Sequence, residues 1–137
     1  ARPAVRLLAG ATDHVDDTLK LWRSTPFQWG VRDCLLSIAD YVDGRTGEDW
    51  GAIFRGTYDD EAGALAHIRA YGGERYLIDR SGLSHVARPA RGDILLMALG
   101  APIAALCTGP GAAARLMRGV VEIDLRFVKI ICAWKVP

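Results

Sequence analysis

The sequence predicts an α+β fold, with N-terminal helices packed on a small antiparallel β-sheet. Three observations lead there. The first part of the chain places apolar residues at helical spacing behind Asp residues that suit helix starts. From about residue 76 it breaks into short apolar runs separated by Gly and Pro. Helices come first and strands after them, without the strand–helix alternation of a parallel sheet.

At 137 residues the chain reads as a single domain spanning 1–137, long enough to bury a core. Its net charge is +1 and its Arg residues are scattered, so nucleic acid is not an expected partner. No apolar run approaches the roughly 20 residues needed to cross a bilayer, so no membrane insertion is expected. Cys34, Cys107 and Cys132 match no zinc spacing, and an odd number suggests no disulfide framework. No metal and no cofactor are expected, and synthesis in a reducing cytoplasm suits these thiols.

Residues 1–11 read as an N-terminal arm. A helix follows from Thr12 or Asp13 to about Ser24, with Val15, Leu19, Trp22 and Leu21 inward. Acids lead and bases follow, which complements the helix dipole. Pro26 ends it. A second helix is expected from Asp33 to about Val42, with Leu35, Ile38, Ala39 and Val42 inward, and with Gly44 and Gly47 ending it. Residues 48–58 read as a loop from which Trp50, Ile53 and Phe54 plug the core. Asp59 to Tyr71 reads as a third helix with Leu65 and Ile68 inward, stopped by Gly72-Gly73.

Tyr76–Asp79 reads as a short strand or turn, and Arg80–Gly92 as a loop that carries His85. The strand candidates are 94–99, 103–108, 113–117, 120–128 and 129–136. The last run is apolar enough to be a central strand; the alternative is an edge that docks a partner.

The chemistry-bearing stretch is Phe27-Gln28-Trp29-Gly30-Val31-Arg32-Asp33-Cys34. Asp33 suits a helix cap, which puts Cys34 in the first turn. There the dipole and the free N–H groups favour a thiolate, so Cys34 is a candidate nucleophile. Gly30 suits a turn, and Trp29 and Asp33 position the cysteine. The competing reading is a small buried hydrophobe. A thiol hydrolase also needs a base within reach of the sulfur. His14 and His67 lie on helices, so His85 is the candidate base.

The run Phe27-x-Trp29-Gly30-x-x-Asp33-Cys34 resembles the NlpC-type papain-like cell-wall peptidases, as does Gly92-Asp93 opening a strand. The closer resemblance is to small phage and gene-transfer-agent tail proteins distantly similar to those peptidases. It rests on Trp29-Gly30-x-x-Asp33-Cys34, Arg55-Gly56-Thr57-Tyr58, Gly72-Gly73, Gly92-Asp93, Cys107-Thr108-Gly109 and Trp134, in that order. It implies an NlpC-type papain-like core and a place in a virion tail tip or baseplate. The partners it implies are other tail-tip and baseplate proteins, after synthesis in the bacterial host cytoplasm.

The sequence departs from the peptidase pattern at three places. Ile103 stands where that family carries its general-base His. Phe27, with no hydroxyl, stands where a Tyr helps bind the oxyanion. Leu35-Leu36 replaces Ser-Gly after the cysteine. The expectation is therefore a structural tail component that keeps a peptidase-like fold without catalysis. The alternative is a cysteine peptidase or amidase acting on peptidoglycan, with Cys34 attacking, the Cys34 N–H holding the oxyanion and His85 as base.

Overall fold

The computed structural model describes residues 13–137, so the expected arm over 1–11 lies outside the described residues. Four helices come first: α1 (His14–Ser24), α2 (Cys34–Thr46), α3 (Glu61–Ala70) and α4 (Glu74–Asp79). Five strands come after them: β1 (Ile94–Leu99), β2 (Ala101–Cys107), β3 (Gly111–Leu116), β4 (Gly119–Asp124) and β5 (Lys129–Trp134). They form one antiparallel sheet in the order β4-β3-β2-β1-β5. The α+β layout of helices before sheet is the one the sequence predicts.

The helix starts are set by their caps. Asp13 accepts a hydrogen bond from the Val15 N–H, and Asp33 accepts one from the Leu36 N–H. Asp60, rather than Asp59, caps α3 through the Gly63 N–H. α2 continues past Val42 to Thr46, because Gly44 has open space around it and tolerates the helix. Gly47, at φ +80°, then takes the left-handed position that ends it.

Three inward assignments do not hold. Leu21 is 57% exposed, Ile53 is 39% exposed and Leu65 is 40% exposed, while Trp22, Trp50, Phe54 and Ala64 are buried. α3 packs at the periphery, where the small Ala64 suffices and Leu65 is left at the rim of a cleft. Residues 76–79, read as a strand or turn, belong to α4, which buries Leu77 and Ile78.

The sheet buries both faces. Toward the helices, Ile94, Leu96, Ala104, Leu106, Ala113 and Trp134 join the buried residues of α1 and α2. On the other face, Leu95, Met97, Ala105, Cys107, Ala112 and Ala133 cluster with Val121, Ile123, Leu125, Val128 and Ile130. Those covering residues come from β4, β5 and the turn between them, so the sheet curls over its own second face. The run 120–128 accordingly divides into β4 and a 3-10 turn at Leu125–Phe127.

Two features of the strand pairing shape the ends of the sheet. β2 meets β3 through the pairs Leu106↔Ala113 and Cys107↔Ala112, so the sheet opens between their other ends. β5 lies at the sheet edge, paired with β1, not in the centre. Its outer side is partly covered by residues 84–86: Val86 N–H donates to the Ala133 carbonyl, and Lys135 N–H donates to that of Ser84.

Candidate functional site at the start of α2

Asp33 organises this end of the molecule. It is 1% exposed. One carboxylate oxygen accepts from the Leu36 N–H at 2.9 Å. The other accepts from the Gly30 N–H at 2.9 Å and from the Tyr58 hydroxyl at 2.6 Å. Gly30, at φ +79°, holds the preceding turn; a Cβ there would lie 2.1 Å from the Tyr58 carbonyl oxygen.

The element Arg55-Gly56-Thr57-Tyr58 docks onto the same stretch. Arg55 pairs with Asp40 at 2.6 Å and with Asp49 at 2.9 Å. The Gly56 N–H donates to the Gly30 carbonyl at 2.9 Å, and Tyr58 reaches Asp33. Two motifs well separated in sequence thus make one physical unit. Nothing in the residue pattern alone joins Tyr58 to Asp33, because the link runs through the fold.

Cys34 lines a cleft of about 280 Å³ where β2 and β3 splay apart. Its walls include Phe27, Trp29, Tyr58, Glu74, Pro102 and Ile103. Phe27 and Trp29 pack edge to face, with ring centroids 4.9 Å apart. Another cavity, about 220 Å³, lies between α1 and α2 against Arg115 and does not include the cysteine.

The electrostatics oppose a thiolate. Burial pushes the Cys34 thiol up to about 11, and the Asp33 charge adds to the rise. The N–H groups of Leu35 and Cys34 pull it down, and they are outweighed. At neutral pH about one molecule in 10,000 then carries the thiolate. The helix-start N–H groups favour the thiolate, but at this position burial is larger.

No imidazole lines the cleft among the described residues. His67 turns its Nδ1 to the Gly63 carbonyl and packs against Phe54 and Tyr58. His14 faces the cavity beside α1. His85, the candidate base for Cys34, has both ring nitrogens engaged elsewhere. Its Nε2 meets Asp79 at 2.6 Å and its Nδ1 meets Cys132 at 3.5 Å. The fold therefore does not bring His85 to Cys34, because the 84–86 segment is held against β5.

The residues at the start of β2 also separate by face. Ile103 packs with the cluster on the far side of the sheet, opposite Met97. Alternation places Pro102 with Ala104 and Leu106 on the helix side, so Pro102 is the β2 residue directed toward Cys34. Asp93 is 7% exposed and accepts from the Ala90 and Val136 N–H groups, a strand-start role.

Fold and site define an α+β domain with a capped, cysteine-bearing helix start beside a split in its sheet. A family model described as a domain of unknown function (DUF6950) matches residues 8–136, and the chain belongs to that family. No curated protein and no solved structure matches the chain.

Proposed function

We propose that the chain is a structural component of a phage or phage-like tail tip or baseplate, built on an NlpC-type papain-like core that has lost catalysis. The observation that carries this reading is the state of Cys34. It keeps the helix-start position of a nucleophile, yet its thiol is pushed up to about 11 and no imidazole shares its cleft. A cysteine hydrolase needs a base within hydrogen-bond reach of the sulfur, and this site has none.

The hydrogen bonds around Asp33 explain the Trp29-Gly30-x-x-Asp33-Cys34 stretch as architecture. They join loop, helix and the Arg55–Tyr58 element whether or not Cys34 reacts. Exposed apolar side chains in turns and at a strand end, Phe127, Met117 and Leu99, suit contacts with neighbouring tail-tip and baseplate proteins. Among the described residues no helix is long and apolar enough to cross a membrane.

Alkylation by iodoacetamide across pH, with the modified cysteine located by peptide mapping, tests the loss of catalysis. Slow reaction of Cys34 below pH 9 is expected. Rapid labelling near neutral pH would overturn it and favour a cysteine peptidase or amidase acting on peptidoglycan. Mass spectrometry of purified phage-like particles tests the location, with the chain expected in the tail-tip fraction.

A further inference from the structure

A second thiol, remote from the cleft, has what Cys34 lacks. Cys132 on β5 lies with its sulfur 3.5 Å from His85 Nδ1, and His85 Nε2 lies 2.6 Å from Asp79 Oδ1. The same Asp79 oxygen accepts the indole N–H of Trp134 at 2.8 Å. These residues come from β5, the 80–92 loop and the end of α4, so they meet only in the folded chain.

The carboxylate assigns the protons. An ionised carboxylate can only accept, so the His85 nitrogen facing Asp79 carries the hydrogen. The other nitrogen of the neutral ring is then a free acceptor directed at the thiol. Burial opposes ionisation of Asp79, but the hydrogen bonds from His85 and Trp134 outweigh it and hold the carboxyl below its usual range. The ring lies between sulfur and carboxylate, which meet opposite nitrogens. The three groups therefore cannot converge on one metal ion; they form a relay of nucleophile, base and orienting group.

The scaffold holds this relay in place. Trp134 is fully buried and packs edge to face on His85, with centroids 5.4 Å apart. Backbone hydrogen bonds on both sides of His85 tie its segment to β5. The register of β5 also slips by one residue: Met97 pairs with Ile130, while Leu96 pairs with Cys132. The extra residue, Ile131, reverses the alternation. Ile130 packs on the far face, whereas Cys132 packs on the helix face beside Trp134. Cys132 stands two residues before Trp134, which bridges His85, so the two side chains share the helix face beside the ring. The Asp79 and His85 side chains are 39% and 45% exposed and Cys132 is half-buried, so a small reagent can reach the sulfur.

We propose that Cys132, His85 and Asp79 form a thiol–disulfide exchange site that takes a small, soluble disulfide as its substrate. Exchange needs an accessible thiol and a proton acceptor but no oxyanion donors, which matches an open site at a sheet edge. In the step, His85 Nδ1 takes the Cys132 proton as the sulfur attacks one sulfur of the disulfide. A new S–S bond forms to Cys132 and the original S–S bond breaks. The leaving thiolate takes the proton from His85 and departs as a thiol. Cys132 is oxidised to a mixed disulfide, and the attacked disulfide is reduced to one released thiol and one half bound to Cys132. Asp79 is a positioning residue that acts through His85.

The test uses the folded chain and glutathione disulfide, with the adduct counted by intact mass and located by peptide mapping. One glutathionyl group on Cys132 is expected, with an equal amount of glutathione released. C132S should abolish it and C34A should leave it unchanged, which separates this site from the cleft. H85Q and H85A should each slow the reaction at least about tenfold, with added imidazole restoring much of the rate in H85A. D79N should slow it in the wild-type background but not further in H85A, as expected for a residue acting through the ring. Preferential modification of Cys34 or Cys107 would overturn the proposal. So would wild-type rates in H85Q and H85A.

Discussion

The Tyr58 hydroxyl donates to the Asp33 carboxylate across 2.6 Å and so locks the Arg55–Tyr58 element onto the start of α2. Asp33 is the hub of that junction: it caps the helix, closes the Gly30 turn and receives Tyr58 with one buried side chain. Removing the carboxylate strands three donors at once. D33A is expected to cost about 3 kcal/mol, since a lost cap and unsatisfied buried donors act together. Y58F removes one donor and should cost about 1 kcal/mol. Urea unfolding of both variants checks the ranking, and equal losses would contradict the hub role.

Gly30 and Gly47 share a left-handed backbone, at φ +79° and +80°, but not their surroundings. A Cβ at Gly47 meets nothing within 4 Å, whereas one at Gly30 meets the Tyr58 carbonyl oxygen at 2.1 Å. G47A should therefore cost about 1 kcal/mol, the conformational penalty alone. G30A must also move backbone and should cost about 3 kcal/mol or more. Denaturant midpoints of the two variants measure the difference.

Much of this architecture is legible in the sequence, and the limits have physical causes. Asp13 and Asp33 announce their helices because a short carboxylate before an apolar-periodic run has a specific task. α4 escapes notice because it is one short apolar segment and Gly73 provides no side-chain cap. The sheet order cannot be read from strand candidates alone, so the sequence leaves β5 placeable as centre or edge. The grouping of Cys132, His85 and Asp79 joins a strand, a loop and a helix end that meet only in the fold, and periodicity does not reveal that meeting. The split between β2 and β3 that houses Cys34 is likewise a property of pairing, not of residue type.

Alkaline pH should weaken the fold through Cys34. Its thiol is raised from 9.0 to about 11 in the folded state, mainly by burial, so the folded chain holds the proton more tightly than the unfolded chain. The resulting stability is complete below pH 9. It is lost as pH rises from 9 toward 11, by at most about 2.7 kcal/mol. Tyr58 is also raised, by burial and then by Asp33, and acts in the same direction above pH 10. Urea midpoints at pH 8 and pH 10.5 should fall less in C34A than in the wild type. An equal fall would mean that Cys34 is not held protonated.

The cleft permits a gain-of-function test of the missing base. On β2, Pro102 and Ile103 both border the cleft with Cys34, but Pro102 shares the helix side with Ala104 whereas Ile103 packs with the far-face cluster. Strand alternation directs an imidazole at position 102 to the side of the thiol and one at position 103 to the opposite side. Pro102 is exposed near the start of β2, ahead of the rungs that join it to β3, so replacing it disturbs little packing. P102H should therefore raise the rate of Cys34 alkylation at pH 7 by about tenfold, since a neighbouring imidazolium favours the thiolate against burial and Asp33. I103H should leave the rate near that of the wild type. If I103H activates Cys34 and P102H does not, the side of β2 that faces the thiol is that of Ile103; if neither does, an imidazole on β2 does not reach the sulfur.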